Sequence, residues 1–327
     1  MAGTLNPVLS SEARKKLELA HAPKHAGSIS IVNYKGGVSK TTITCLLGYY
    51  LANLTKKKVL LFDIDPQCSL SLALGFNPEE VSHTELTVYN LVKPSKWTKI
   101  TKTNFENYVQ DVRDRFAPKN LRIVPGSFDT DDLDMTIATR IAEDKSLHQN
   151  QQFLYCKRLS CAYDKYDYIL VDCPPNKMFL TQAMLRACSY YLTVTIPDAI
   201  SIYGMPRLLR WINQIPKSER PLSLGYVLNA LNRSGGAPGG KVYSQQQAEA
   251  RLIQSIQNDL QPVEKKVLGS DVCTGALPRL DAIAIFLGEQ DAKSTRFDFP
   301  KRTSGQPSVD ECLTAKTVMK RIADYRA

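Results

Sequence analysis

Ile29-Ser30-Ile31-Val32-Asn33-Tyr34-Lys35-Gly36-Gly37-Val38-Ser39-Lys40-Thr41-Thr42 runs an apolar strand into a glycine pair and then into a Lys-Thr that opens a helix. This order predicts a phosphate-binding loop. Gly36 and Gly37 let the backbone turn its N–H groups inward, and the following helix adds the positive end of its dipole. Lys40 is placed to reach terminal phosphates as a mobile point charge, and Thr41 supplies a small hydroxyl suited to Mg2+. The general pattern G-x-x-x-x-G-K-[ST] is broken, because Tyr34 and Ser39 stand where its two spaced glycines belong.

Further along, Thr42 to Leu54 reads as a largely buried helix, with Lys56-Lys57-Lys58 as its solvated end. The next strand, Val59 to Phe62, delivers Asp63-Ile64-Asp65-Pro66-Gln67, and strand alternation sends both carboxylates to one side. A second apolar run, Tyr166 to Val171, ends in Asp172-Cys173-Pro174-Pro175, as expected of a central parallel strand buried on both faces. Strand Tyr191 to Ile196, helix Ile200 to Ile215, strand Ser223 to Asn229 and a last helix from Ser308 to Tyr325 continue the alternation. The fold class that follows is α/β, a doubly wound, mostly parallel sheet flanked by helices.

Between these elements, residues 76–120 are punctuated by Pro78, Pro94, Trp97 and Pro118 and read as an insertion beside the phosphate site, with a helical turn at Thr87 to Leu91. Asp129, Asp131, Asp132 and Asp134 crowd a helix start, where acids suit the dipole. Gly235 to Gly240 is a flexible loop, since no Lys-Ser/Thr opens a helix after it.

The 327 residues, 43% of them hydrophobic, suffice for one large core. None of the eight cysteines forms a C-x-x-C, which points to buried thiols in a reducing compartment rather than a metal or cluster site; Cys156 and Cys161 lack further ligands at suitable spacing. No apolar run approaches the roughly 20 residues of a membrane span, so the expectation is a cytoplasmic protein. The net charge of +10 and a pI near 9.1 favour a polyanionic partner. Residues 1–27 read as a basic N-terminal tail and 28–327 as a single domain.

The pattern K-G-G-x-x-K-T-T resembles the deviant Walker A loop of the ParA/Soj/MinD family of dimeric ATPases, which usually reads K-G-G-x-G-K-T-T. Asp63-Ile64-Asp65-Pro66-Gln67 is similar to the family's D-x-D-P-Q element, Asp172 to its Walker B acid, Asn229 to a strand-end Asn that contacts adenine, and Ala276-Leu277-Pro278-Arg279 to its late I-P-R element. The resemblance runs from about Ser28 to the final helix and implies a P-loop NTPase fold with ATP and Mg2+ as ligands. It implies that Lys35, Gly36, Gly37, Val38, Ser39, Lys40, Thr41, Thr42, Asn229 and Pro278 hold the nucleotide, with Lys35 reaching across a dimer interface. Thr41, Asp63 and Asp172 would serve the metal, while Asp65, with Lys35 and Lys40, would act in hydrolysis. Ser39 replaces the family's glycine, and a Cβ there narrows the turn and penalises positive φ.

Where several ParA relatives place a DNA-contacting arginine, this chain has Ala282, so Arg207, Arg210, Arg279, Lys316, Lys320 and Arg321 are the expected DNA contacts. By this resemblance the chain is an ATP-dependent dimerising ATPase, slow without its partner. It would bind DNA non-specifically, associate with the nucleoid and position a cargo through a ParB-like or other adaptor, with no membrane expected. The alternatives are a MinD-like membrane switch, for which Val318, Met319 and Ile322 offer little apolar area, and a nucleotide-gated scaffold with little hydrolysis.

Overall fold

The computed structural model of the chain describes residues 27–93, 102–113, 118–143, 165–196, 199–217, 219–231, 250, 253–254, 256–268, 272–278 and 309–327. Strands β1 (Ser28–Val32), β2 (Val59–Asp63), β3 (Gln110–Asp111), β4 (Leu121–Val124), β5 (Tyr168–Asp172), β6 (Tyr190–Thr195), β7 (Leu222–Leu231) and β8 (Cys273–Pro278) form one sheet. Their order is β3-β4-β2-β5-β1-β6-β7-β8. Every neighbouring pair is parallel except β3 with β4. This is the doubly wound, mostly parallel sheet that the alternation of elements predicts.

All five residues of β1 and of β2 are buried, as expected of inner parallel strands; β2 is apolar up to its final Asp63, whereas β1 carries Ser28 and Ser30, whose hydroxyls respectively accept from the Ser189 N–H and donate to the Met184 carbonyl. Their side chains alternate between two cores. Ile29, Ile31, Val59 and Leu61 pack on one face of the sheet with α1 (Lys40–Thr55). Leu60, Phe62, Ile169 and Val171 pack on the other, with Leu91, Met184 and Leu208 from three later helices. Helix α1 lies close on the sheet at Gly48, where an added Cβ would meet the Leu61 side chain at 2.9 Å.

The described residues of the stretch 76–120 form short pieces, two of them with side-chain caps. After α2 (Ser69–Ala73), helix α3 (Pro78–His83) has Pro78 in its first turn, and the Asn77 side chain accepts a hydrogen bond from the Glu79 N–H. Helix α4 (Val88–Val92) is capped by Thr87, which accepts from Asn90 N–H, so the expected turn at Thr87 to Leu91 is present. Helix α5 (Lys102–Phe105) leads through a 3-10 turn to β3, which runs antiparallel along β4 at the end of the sheet.

Helices α6 (Thr130–Glu143), α7 (Phe179–Ala187), α8 (Ala199–Asn213), α9 (Pro262–Leu268) and α10 (Val309–Arg326) follow, with further helical residues at 253–254 and 256–259. Helix α8 buries Met205, Leu208, Leu209 and Ile212 in the same core as α7, whereas α10 buries Ala315, Val318 and Ile322 in the core of α1. These two helices therefore cover opposite faces of the sheet. The tail up to residue 26, the pair Cys156 and Cys161, the glycine loop at 235–240 and Arg279 lie outside the described residues.

Candidate nucleotide site

The site forms where β1, β2 and β5 end side by side. Parallel pairing sets Ile31 beside Asp172 and Asp63 beside Asp172, so the loop that leaves β1 passes directly over two carboxyls. Ligands of open α/β sheets bind at these carboxyl ends. The loop turns at Gly37, with φ of +71°, and at Ser39, with φ of 73° and ψ of 35°. Ser39 is thus a left-handed non-glycine residue, which costs about 1–2 kcal/mol. It occupies the N-cap of α1, yet its side chain makes no capping hydrogen bond to the helix. Instead its hydroxyl accepts from the Asn229 amide Nδ2 at 2.7 Å, and the same nitrogen lies 3.4 Å from the Val38 carbonyl.

Lys40 is nearly buried and donates through Nζ to the Lys35 carbonyl at 3.2 Å. Burial lowers its pKa, and the charges of Asp172 and Asp65 partly offset that. Thr41 donates through Oγ1 to Asp172 Oδ2 at 2.7 Å, and Thr44, one turn along α1, lies 3.2 Å from Asp172 Oδ1. Burial pushes Asp172 up to about 7 against these hydrogen bonds and the nearby Lys40. Asp63 is fully buried: Ser71 donates to its Oδ2 from both N–H, at 2.7 Å, and Oγ, at 2.6 Å. Burial first, and then the Asp172 charge, push Asp63 up to about 8. Its Oδ1 is buried without a hydrogen-bond partner among the described residues. Asp65, at the rim, is half-buried; its Oδ1 accepts from Gln67 N–H at 2.9 Å, and burial raises its pKa.

This donor set fits a polyphosphate carrying a divalent cation. Two adjacent buried carboxyls, one with an orphaned oxygen, lack a full cationic counterweight, and hard oxygen donors suit Mg2+. Above them, a Cβ added at Gly36 or Gly37 would meet nothing within 4 Å, so the loop presents bare backbone to an open face.

The buried carboxyls also set a pH dependence. A carboxyl whose folded pKa is raised contributes stability that is fully present below its unfolded value near 4 and is lost as pH rises through the folded value. For Asp172 and Asp63 that window ends at about 7 and about 8. The ligand-free protein is therefore expected to lose up to about 1.4 kcal/mol per pH unit for each such group between pH 5 and 7. Asp63→Asn keeps an oxygen for Ser71 and removes the charge, so its melting temperature should fall less over this range. A variant slope as steep as that of the wild type would reject the assignment.

Lys35, Gly36, Gly37, Val38, Ser39, Lys40, Thr41 and Thr42 all lie in the loop or the first turn of α1, and Asp63, Asp65 and Asp172 are gathered below it. Pro278 ends β8, and only its backbone is described. Strand β7 continues past Asn229 to Leu231, so Asn229 lies within the strand rather than at its end. The basic set does not come together as expected. Arg321 is buried, and its guanidinium donates to the Leu224 carbonyl at 2.6 Å, which corrects its assignment as a DNA contact. Arg207 and Arg210 on α8 and Lys316 and Lys320 on α10 are exposed, but they sit on opposite sides of the sheet.

Several contributors escaped the sequence reading. Ser71 and Thr44 hold the carboxyls, and Gly126 N–H in turn donates to Ser71 Oγ at 2.8 Å. Thr44 follows Lys40 by one helical turn, which was the available signal; Ser71 had none. Tyr34, in the loop, stacks obliquely on Trp211 of α8 with ring centroids 5.5 Å apart. Lys177, from the loop after β5, places Nζ 4.7 Å from the Tyr34 ring and 5.7 Å from the Trp211 ring.

A doubly wound parallel sheet with a phosphate loop after β1 and acids at the ends of its neighbours defines a P-loop nucleoside-triphosphatase fold. A family model described as an AAA domain, AAA_31, matches residues 26–223, and the chain belongs to that family, within the ParA/MinD superfamily of ATPases. Among relatives, a ParA family protein of Chlamydia pneumoniae is 29% identical over 209 residues, 64% of this chain and 73% of its own. A putative replication protein A of Sinorhizobium fredii is 33% identical over 215 residues, 64% of this chain; the chain spans about half of that relative, 49%. Among solved structures, pnob8 ParA superposes with a TM-score of 0.63 at 18% identity, over 91% of this chain and 99% of its own. The Pyrococcus furiosus cell division ATPase MinD gives 0.60 at 20%, over 90% and 99%. A putative plasmid partition protein of Borrelia burgdorferi bound to AMPPNP gives 0.58 at 17%, over 91% and 98%.

Proposed function

We propose that the chain is an ATP-dependent ATPase that dimerises in its ATP state, binds duplex DNA without reading sequence and positions a cargo through an adaptor protein. The observation that carries this reading is the buried Asp63 and Asp172 pair, with its orphaned oxygen, set beneath a phosphate loop and beside Thr41. Relatives named for the ParA family and a plasmid-partition structure bound to AMPPNP support it.

Bound Mg2+ would draw negative charge from the terminal phosphates, held by Thr41 with Asp63 and Asp172 behind it. The backbone N–H groups from Gly36 to Thr42 would cradle the phosphates, and Lys40 would neutralise them. Asp65, raised in basicity at the rim, would orient and deprotonate the attacking water. Lys35 would serve the partner subunit's nucleotide, since Lys40 already serves the loop in its own subunit. Asn229 and Pro278 would border the base.

DNA binding would rest on exposed cations: Arg207 and Arg210 on α8, or Lys316 and Lys320 on α10, with Arg279 as a further candidate. A few phosphate contacts per subunit bind weakly, and two subunits joined by ATP bind firmly. A membrane partner fits the fold less well. Val318 and Ile322 of α10 are spent in the core, and among the described residues no helix is long and apolar enough to cross a membrane.

With ATP and Mg2+, the Asp65→Ala protein is expected to double its mass in light scattering, and Lys35→Ala in that background should weaken the conversion. The ATP state should bind arbitrary duplex DNA with an affinity that falls steeply with salt. Paired alanine substitutions on α8 and on α10, made separately, should show which pair carries it. A mass unchanged by ATP, or binding to anionic vesicles with none to DNA, would reject this reading.

A further inference from the structure

We infer that Asn229 is a positioning residue for the phosphate loop and that it acts through the Ser39 hydroxyl. This rests on the phosphate-loop reading above and assigns Asn229 a task that needs no base. Serine at an N-cap ordinarily turns its oxygen onto the N–H groups of the first helical turn. Here those same N–H groups are the donors an anion needs, and a self-capped serine would compete with the anion for them.

Two features prevent the competition. The left-handed backbone of Ser39 departs from the extended geometry of a capping residue, and the Asn229 amide holds the hydroxyl at 2.7 Å on the side of β7, 190 positions away in sequence. The Val38 carbonyl, an acceptor only, lies 3.4 Å from the same Nδ2 and thereby fixes which end of the carboxamide faces the loop. Asn229 is itself nearly buried within a strand that β6 and β8 flank, so the anchor is rigid. Asn229 thus holds the loop in a conformation that a glycine at position 39 would adopt unaided.

Inorganic tripolyphosphate with Mg2+ is the appropriate probe, because it has the phosphates of a nucleotide and no base. By calorimetry, Asn229→Ala should bind it about fivefold more weakly than the wild type, the loss corresponding to one hydrogen bond. Ser39→Gly should bind at least as tightly as the wild type. In the double variant the Asn229→Ala loss should disappear, because glycine has no hydroxyl to hold and no penalty at positive φ. A purely structural role for Asn229 would leave the loss in place in the double variant, and unfolding curves of all four proteins would expose it. If Asn229→Ala weakens ATP and leaves tripolyphosphate unchanged, Asn229 contacts only the base and the inference is overturned while the ATPase reading stands. If the wild type binds neither ATP nor tripolyphosphate, both fail.

Discussion

Lys40→Ala protein is expected to bind ATP about 10²- to 10⁴-fold more weakly than the wild type, the cost of two or so charge-assisted hydrogen bonds to phosphate. The structure makes this residue difficult to replace. Its ammonium is drawn inward beneath the loop, bonded to the Lys35 carbonyl, and lies close enough to Asp172 and Asp65 to perturb both. The backbone cradle would survive the substitution, since Gly37 and Ser39 define its turn. Calorimetric titration checks the expectation, and an affinity within threefold of the wild type would remove Lys40 from the phosphate site. Loss of the cation also leaves Asp172 with less to hold it ionised, so the ligand-free variant should titrate that carboxyl at a higher pH than the wild type does.

Asp65→Ala should separate binding from chemistry. ATP affinity is expected to stay within about fivefold of the wild type, while hydrolysis falls about 10²- to 10⁴-fold, the range that a positioned acid or base contributes. Asp65 differs from its two neighbours in where it sits. Asp63 and Asp172 are enclosed, whereas Asp65 is half-exposed on the loop after β2, fixed by Gln67 N–H and free to meet a water. Single-turnover rates measured beside nucleotide affinity test this, and equal rates in the two proteins would disprove the catalytic assignment.

The site was legible where the backbone dictates residue type. A glycine pair before Lys-Thr, and acids that end apolar strands, are constrained by turn geometry and by parallel pairing, so the positions of Lys40, Thr41, Asp63 and Asp172 at or beyond the ends of neighbouring strands followed from the order of elements, while the roles expected of them came from the family resemblance. The positive φ at Ser39 was foreseen as a penalty, but its compensation was not, because Asn229 arrives from a strand far along the chain. Arg321 shows the opposite failure. A charged residue on a terminal helix reads as solvated, yet it neighbours the apolar stripe Ala315, Val318 and Ile322 and reaches into β7 beside Gly225. That glycine, with φ of 89°, lies where the pairing of β6 with β7 shifts register, and a glycine inside a strand was the one available hint of irregular backbone there. The division of the exposed cations between two faces was invisible too, since it depends on which side of the sheet each helix crosses.

The ring of Trp211 touches the phosphate loop through Tyr34 and stands under the ammonium of Lys177 from the loop after β5. Indole emission shifts in colour and intensity with a neighbouring charge and a stacked phenol, so light absorbed at Trp211 reports on both loops at once. The chain has only two tryptophans, and Trp97→Phe would leave Trp211 as the sole indole, excited apart from the tyrosines at the red edge of the absorption band. The molecule therefore contains its own optical gauge, in which a change of colour on ligand addition would report any altered contact between the two loops without an attached dye.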